Sequence, residues 1–267
     1  MHAVLKDGNV GLGHDSAAER RVGVSKVDNF GSMIDRLTYA IGDVHGCYEA
    51  FCHLLSHIKK DAKTFEEKPR IVLLGDYIDR GPHSKEVLER IIELLREDWC
   101  DVEVLLGNHE MIMLNFLLDP AYGPSWVEYG GGATLLSYGI QPPSQRASNE
   151  EWEEAKQGIS KAIPAAHLKL LTEASLKFQA GDYLFVHAGV QPGVPIDIQG
   201  AETFLWIRKE FLVANRACEY VVVHGHTPTE AAVNEAWRIG VDTGAYATGM
   251  LTCVRLHGSS RKIMSSS

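Results

Sequence analysis

Ile71-Val72-Leu73-Leu74-Gly75-Asp76-Tyr77-Ile78-Asp79-Arg80-Gly81 passes from an apolar run of strand length straight into a loop of carboxylates, glycines and one arginine. A β-branched and leucine run closed by a glycine predicts a buried strand. A polar loop at the carboxyl end of such a strand is where open α/β sheets bind ligands. The same pattern recurs along the chain. Residues 37–41 lead into Gly42-Asp43-Val44-His45-Gly46, and residues 102–106 lead into Gly107-Asn108-His109-Glu110. Residues 183–186 end at His187-Ala188-Gly189, and residues 220–223 at His224-Gly225-His226-Thr227-Pro228. Residues 238–241 and 251–256 are expected as later strands.

Helical periodicity fills the intervals. In 47–60, Phe51, Leu54, Leu55 and Ile58 recur at one-face spacing. In 84–97, Val87, Ile91, Leu94 and Leu95 do the same, with Ser84 expected as the N-cap. Residues 111–118 form a third candidate. Strands alternating with helices predict an α/β protein whose sheets are covered by helices. Residues 1–35 are weakly patterned and read as an N-terminal arm. Residues 36–258 read as one catalytic domain, and 259–267 as a C-terminal tail. Within the domain, 119–180 is richer in Trp, Pro, Gly and Glu, and reads as a helical insertion over one side of the site.

Composition narrows the function classes. Across 267 residues, 45% are apolar and 23% charged, as in an ordinary globular protein. The net charge of -9 argues against a nucleic-acid-binding face and against a membrane partner held by positive charge. Five cysteines without a C-x-x-C pair fit neither a disulfide framework nor a cysteine zinc site. No signal peptide or apolar span of membrane length is visible, so a cytoplasmic location is expected.

The strand-end clusters carry the chemistry. Asp, Asn and His are oxygen and nitrogen ligands suited to manganese, iron or zinc. A lone Asp in such a loop is more often a helix cap, and a lone His in an apolar run is more often a core residue. Five clusters, each at a strand end and each with ligand-type side chains, are not explained that way.

Asp43-Val44-His45-Gly46, Gly75 to Gly81 and Gly107-Asn108-His109-Glu110 resemble the signature of the phosphoprotein phosphatases, within the calcineurin-like metallophosphoesterases. The resemblance spans roughly residues 38–245. The short length and the Gly225-His226-Thr227-Pro228 form resemble the bacterial and phage lambda phosphatase-like branch. It implies a four-layer β-sandwich of two mixed sheets flanked by helices. It also implies two divalent ions, manganese first, with iron, zinc or cobalt as alternatives. Asp43, His45 and Asp76 would hold one ion. Asp76 would bridge to a second, completed by Asn108, His187 and His226. A hydroxide held between the ions would attack phosphorus. His109 would be the general acid, with Asp79 orienting it. Arg80, Arg208 and Asn108 would bind substrate phosphate, and Tyr246 would stand at the site edge. His224 does not match a ligand position and is expected to play a packing or supporting role.

The leading expectation is a phosphomonoesterase acting on phosphoserine or phosphothreonine proteins and on small phosphoesters, with no obligate partner. The alternative is a bis(5′-nucleosyl)-tetraphosphatase of the symmetrical kind. Glu110 and the Asp79-Arg80 pair favour the former. A non-catalytic binding module is a third reading, disfavoured because no ligand position is lost.

Overall fold

A computed structural model describes residues 28–267. The strands are β1 (Asp28–Ile41), β2 (Arg70–Leu73), β3 (Asp101–Val104), β4 (Lys177–Ala180), β5 (Tyr183–Val186), β6 (Val221–His224), β7 (Val233–Asn234), β8 (Arg238–Gly240) and β9 (Thr252–Ser265). The first helices are α1 (Tyr48–Ala62), α2 (Ser84–Leu94) and α3 (Asn108–Leu118). A 3₁₀ turn (Pro120–Tyr122) leads to α4 (Gly123–Glu128), α5 (Gly131–Ser137), α6 (Asn149–Ala162) and α7 (Ala165–Glu173). Three short helices follow, α8 (Ala201–Trp206), α9 (Lys209–Leu212) and α10 (Ala245–Thr248).

Two mixed sheets result. One has the order β3-β2-β1-β9, with β1, β2 and β3 parallel and β9 antiparallel to β1. The other has the order β4-β5-β6-β8-β7, with β5, β6 and β8 parallel. Period-2 alternation explains the layering. Ala40, Val72, Val223 and Ile239 point into the seam between the sheets and form one core with Phe185 and Leu256. Their neighbours Tyr39, Ile41, Ile71 and Leu73 point outward and pack under α1 and α2 against Phe51, Leu54, Val87 and Ile91. Leu184, Val186 and Val222 face a third core with Phe204, Phe211 and Trp237. Helix, sheet, sheet, helix is the expected four-layer arrangement. Each large side chain fully buried this way contributes roughly 1.5–3 kcal/mol.

The chain ends depart from expectation. Of the arm, residues 1–27 lie outside the described residues, and 28–35 belong to β1. The stretch read as a tail is instead strand: β9 continues to Ser265. Residues 28–35 carry Asp, Asn, Gly and Ser, and residues 259–267 are mostly Ser with Arg and Lys, so neither shows an apolar period. They are strands because they pair with each other, Asp28 with Arg261 and Asn29 with Ser260, across a register shift before Ile34. Arg261, fully buried, ties β9 to the second sheet by donating to Tyr183 Oη at 3.0 Å and to the Glu235 carbonyl. The 119–180 stretch is helical up to Glu173 but ends in β4. Ser84 is the first residue of α2 rather than its cap; His83 holds that position. The Ser84 hydroxyl instead accepts the backbone N–H of Asp79. No helix among the described residues is long and apolar enough to cross a membrane.

Candidate active site

The parallel strands deliver their carboxyl ends to one place. Asp43 follows β1, Asp76 follows β2, Asn108 opens α3 just after β3, His187 follows β5 and His226 follows β6. Every non-glycine residue with positive φ among the described residues lies in these loops: His45 (45°), Asp76 (54°), Asp79 (72°), Arg80 (66°) and His226 (64°). A non-glycine residue held there costs on the order of 1–3 kcal/mol, and such residues cluster at functional sites. Two glycines let the loops close. A Cβ on Gly75 would lie 2.6 Å from the Gly107 nitrogen, and one on Gly225 would lie 2.0 Å from Asp43 Oδ1.

Two triads share Asp76. His45, Asp76 and His109 form one, and Asp76, His187 and His226 the other. Each carboxylate oxygen faces one triad. Oδ2 lies 3.6 Å from His45 Nε2 and 3.8 Å from His109 Nε2, while Oδ1 lies 3.4 Å from His187 Nε2. Asn108 Oδ1 joins the second triad, 2.8 Å from His187 Nε2 and 2.9 Å from His226 Nδ1. Asp43 is buried beside them but belongs to neither triad; its two oxygens accept the His226 backbone N–H at 3.1 and 3.0 Å.

The donor set fits a cation. The Leu74 carbonyl can only accept, so His187 Nδ1 must carry the hydrogen between them, at 2.9 Å. Burial lowers the His187 pKa, so its ring is neutral and Nε2 bears a lone pair. That lone pair faces two oxygen acceptors, Asn108 Oδ1 and Asp76 Oδ1. His45 repeats the arrangement: Nδ1 donates to the Ile78 carbonyl at 2.8 Å, and Nε2 faces Asp76 Oδ2. Burial brings the His45 pKa down to about 3, against the opposing pull of Asp76. Imidazoles that donate one ring N–H to a backbone carbonyl and turn the other nitrogen to a common centre have the form of metal ligands. His226 is engaged on both sides, since Arg208 Nε donates to its Nε2 at 2.9 Å.

Charge supports the same reading. Burial raises the Asp43 pKa well above the usual range, and Asp242 and Asp76 add to the effect. Burial likewise lifts Asp242 to about 6. Asp76 moves the other way: burial opposes its charge, but the histidines packed around it, His187 and the protonated His109 first among them, hold it below the ordinary value. Three buried carboxyl groups around the neutral His45 and His187 repel one another's charge, which a bound cation would relieve.

His109 is tied to Asp79, with Nδ1 2.7 Å from Oδ2. Burial works against the imidazolium, but Asp76 and Asp79 outweigh it and raise the pKa to about 9. Burial raises Asp79 as well, yet Trp126 Nε1 and Thr134 Oγ1 also donate to it, which favours the carboxylate. Arg80 places Nη2 3.4 Å from His109 Nε2, and its guanidinium lies over the Tyr246 ring at 4.4 Å. Tyr246 in turn meets the His45 ring edge-on at 5.4 Å. His224 stays outside both triads, buried against Phe211.

Four contributors were not among the expected site residues. Asp242 follows β8 as Asp43 follows β1, so it obeys the strand-end pattern, though a single Asp there carries little signal. Glu110, fully buried, accepts the backbone N–H groups of Gly107, Asp76, Tyr77 and Ile78 and so fixes the loop that carries Asp76. Trp126 and Thr134 come from α4 and α5, and nothing local in their sequence points to Asp79.

Comparison with known proteins gives one family. The calcineurin-like phosphoesterase pattern matches residues 37–250. The chain is 33% identical over 161 residues to a zinc-dependent endopolyphosphatase of Saccharomyces cerevisiae, covering 57% of this chain and 47% of that protein. It is 23% identical over 236 residues to the asymmetrical bis(5′-nucleosyl)-tetraphosphatase PrpE of Anoxybacillus flavithermus, covering 80% and 88%. It is 30% identical over 154 residues to a symmetrical bis(5′-nucleosyl)-tetraphosphatase of Acidovorax ebreus, covering 58% and 44%. The chain thus spans under half of two of these relatives and most of the third. Among solved structures, one described as a putative diadenosine tetraphosphatase superposes with a TM-score of 0.57 at 19% identity, over 86% of this chain and 92% of that one.

Proposed function

Because the chain belongs to the calcineurin-like phosphoesterase family, we propose that it hydrolyses phosphoanhydride bonds of dinucleoside polyphosphates at a two-metal centre. His45 and Asp76, with Asp43 at hand, would hold one ion; Asp76, Asn108, His187 and His226 would hold the other. Two such ions polarise phosphoryl oxygens and make water a nucleophile near neutral pH. The protein supplies the rest. His109, kept protonated by Asp76 and Asp79, gives its Nε2 proton to the departing oxygen. Asp79 fixes the ring so that Nε2 points at the triad. Arg80 and Arg208 bind phosphate oxygens through their guanidinium groups.

The observation that carries the substrate class is that the relatives matched include both kinds of bis(5′-nucleosyl)-tetraphosphatase; the placing of two arginines is compatible with it. One stands at each triad, Arg80 beside His109 and Arg208 beside His226. Linked phosphates can engage both guanidinium groups at once. The tetraphosphatase names of relatives, one of them matched over 88% of its length, support the same class. The protein phosphatase reading keeps Glu110 and the Asp79-Arg80 pair in its favour.

Diadenosine tetraphosphate and a phosphoserine peptide, assayed side by side on metal-loaded protein, test the proposal. At least tenfold higher kcat/KM on the dinucleotide is expected. A preference for the peptide would overturn it. The products distinguish the two kinds of cleavage: two ADP for symmetrical, ATP plus AMP for asymmetrical.

A further inference from the structure

A cleft of about 390 Å³ opens among the first two turns of α3, the 3₁₀ turn and α4, and α8. Its walls include Tyr122, Tyr129 and Trp206, and its polar edges come from Asn115, Ser125 and Glu202. The size falls within the roughly 300–1,000 Å³ of small-molecule sites.

Two of its walls pack against the site. The Tyr129 ring lies 6.4 Å from the His109 ring, and the Trp206 ring lies 6.3 Å from the His226 ring. Tyr129 and Trp206 meet edge-on at 6.5 Å, so an aromatic pair links the side of His109 to the side of His226. Tyr122 and Tyr129 are each about half exposed, at 46% and 49%. Exposed aromatic rings at the rim of a phosphate-handling centre are platforms for another planar ring. The helical stretch 119–180 supplies two of the three aromatic walls. The same stretch clamps Asp79 through Trp126 and Thr134, so the cleft is held in register with the general acid.

We infer that this cleft is a nucleobase site, in which a purine stacks on Tyr129 while its phosphates reach the triads. The inference rests on the proposed substrate class and deepens it, because it names the group recognised beyond the phosphates. Asn115, Ser125 and Glu202 offer both donors and acceptors to the edge of a base.

Calorimetry on the metal-loaded protein tests it with two probes that share a sugar phosphate, adenosine 5′-monophosphate and ribose 5-phosphate. The nucleotide should bind about tenfold more tightly, the order expected of one aromatic stack. Tyr129→Leu should erase that difference, and Tyr129→Phe, which keeps the ring, should preserve it. Equal affinity for the two probes in the wild-type protein, or an advantage that survives in Tyr129→Leu, would overturn the nucleobase site. Hydrolysis of diadenosine tetraphosphate is read separately. Nucleotide-selective binding without that turnover would remove the substrate class and leave the cleft. Turnover without a base advantage would do the reverse.

Discussion

His109 Nδ1 and Asp79 Oδ2 stand 2.7 Å apart, both buried, at the end of a network that runs through Trp126 and Thr134. Asp79 therefore receives donors from three directions, which a carboxylate accommodates and a carboxamide does not. Asp79→Asn should lower kcat about 100-fold, within the range of general acid catalysis. The pH profile carries the sharper signature. A general acid works below its pKa, and Asp79 raises that of His109. Removing the charge should move the alkaline limb of kcat to lower pH. An unmoved limb would show that Asp79 only props up the fold.

His109→Asn tests the proton itself. Metal content should stay at the wild-type level, and kcat should fall roughly 10²–10⁴-fold on an alkyl phosphate, whose leaving alkoxide is strongly basic. A nitrophenolate leaving group needs little protonation, so the loss on p-nitrophenyl phosphate should be much smaller. Equal losses on both substrates would contradict the assignment.

Glu110 concerns stability more than chemistry. Its two oxygens accept four backbone N–H groups around the loop that carries Asp76. A glutamine replaces one acceptor oxygen by a donor and turns it toward amide hydrogens. Glu110→Gln should therefore cost about 2–4 kcal/mol in urea denaturation. A change below about 0.5 kcal/mol would mean that the loop holds its shape without this clamp.

The strand-end pattern made the centre legible because its chemistry sits in short turns directly after apolar runs. Asp43, His45, Asp76, Asn108, His187 and His226 could all be picked out that way, and all are buried together. Asp242 follows the same rule but sits alone after a three-residue strand, where a single Asp carries little signal. Trp126 and Thr134 were not legible: their role is a long-range contact with Asp79, across 47 and 55 residues of chain. The β1 and β9 extensions were hidden for a different reason. Their pairing is made by backbone groups, so Gly31, Gly258 and Ser260 sit in strands that no side-chain period reveals.

Asp61 allows a pH test away from the centre. Its carboxylate accepts from Tyr39 Oη at 2.7 Å and Arg255 Nη1 at 3.1 Å, and Lys262 Nζ lies at 3.5 Å, joining α1 to β1 and β9. Burial raises its pKa, but these partners more than offset that and leave it lowered. A carboxylate with a lowered folded pKa stabilises fully above its unfolded value of about 4, and loses that contribution as pH falls through the folded value. Asp61→Asn should be less stable than wild type by about 1–2 kcal/mol at pH 7. The gap should narrow below about pH 4. A gap that is constant with pH would assign the effect to packing.

Metal stoichiometry measures the shared carboxylate most directly. After equilibrium dialysis against manganese or zinc, the wild-type chain should retain two ions. Asp76→Asn should weaken both sites together, because each of its oxygens faces one triad. His45→Ala and His187→Ala should each weaken one site. A wild-type chain that holds a single ion, or an Asp76→Asn variant that still holds two at wild-type affinity, would contradict a centre built around Asp76.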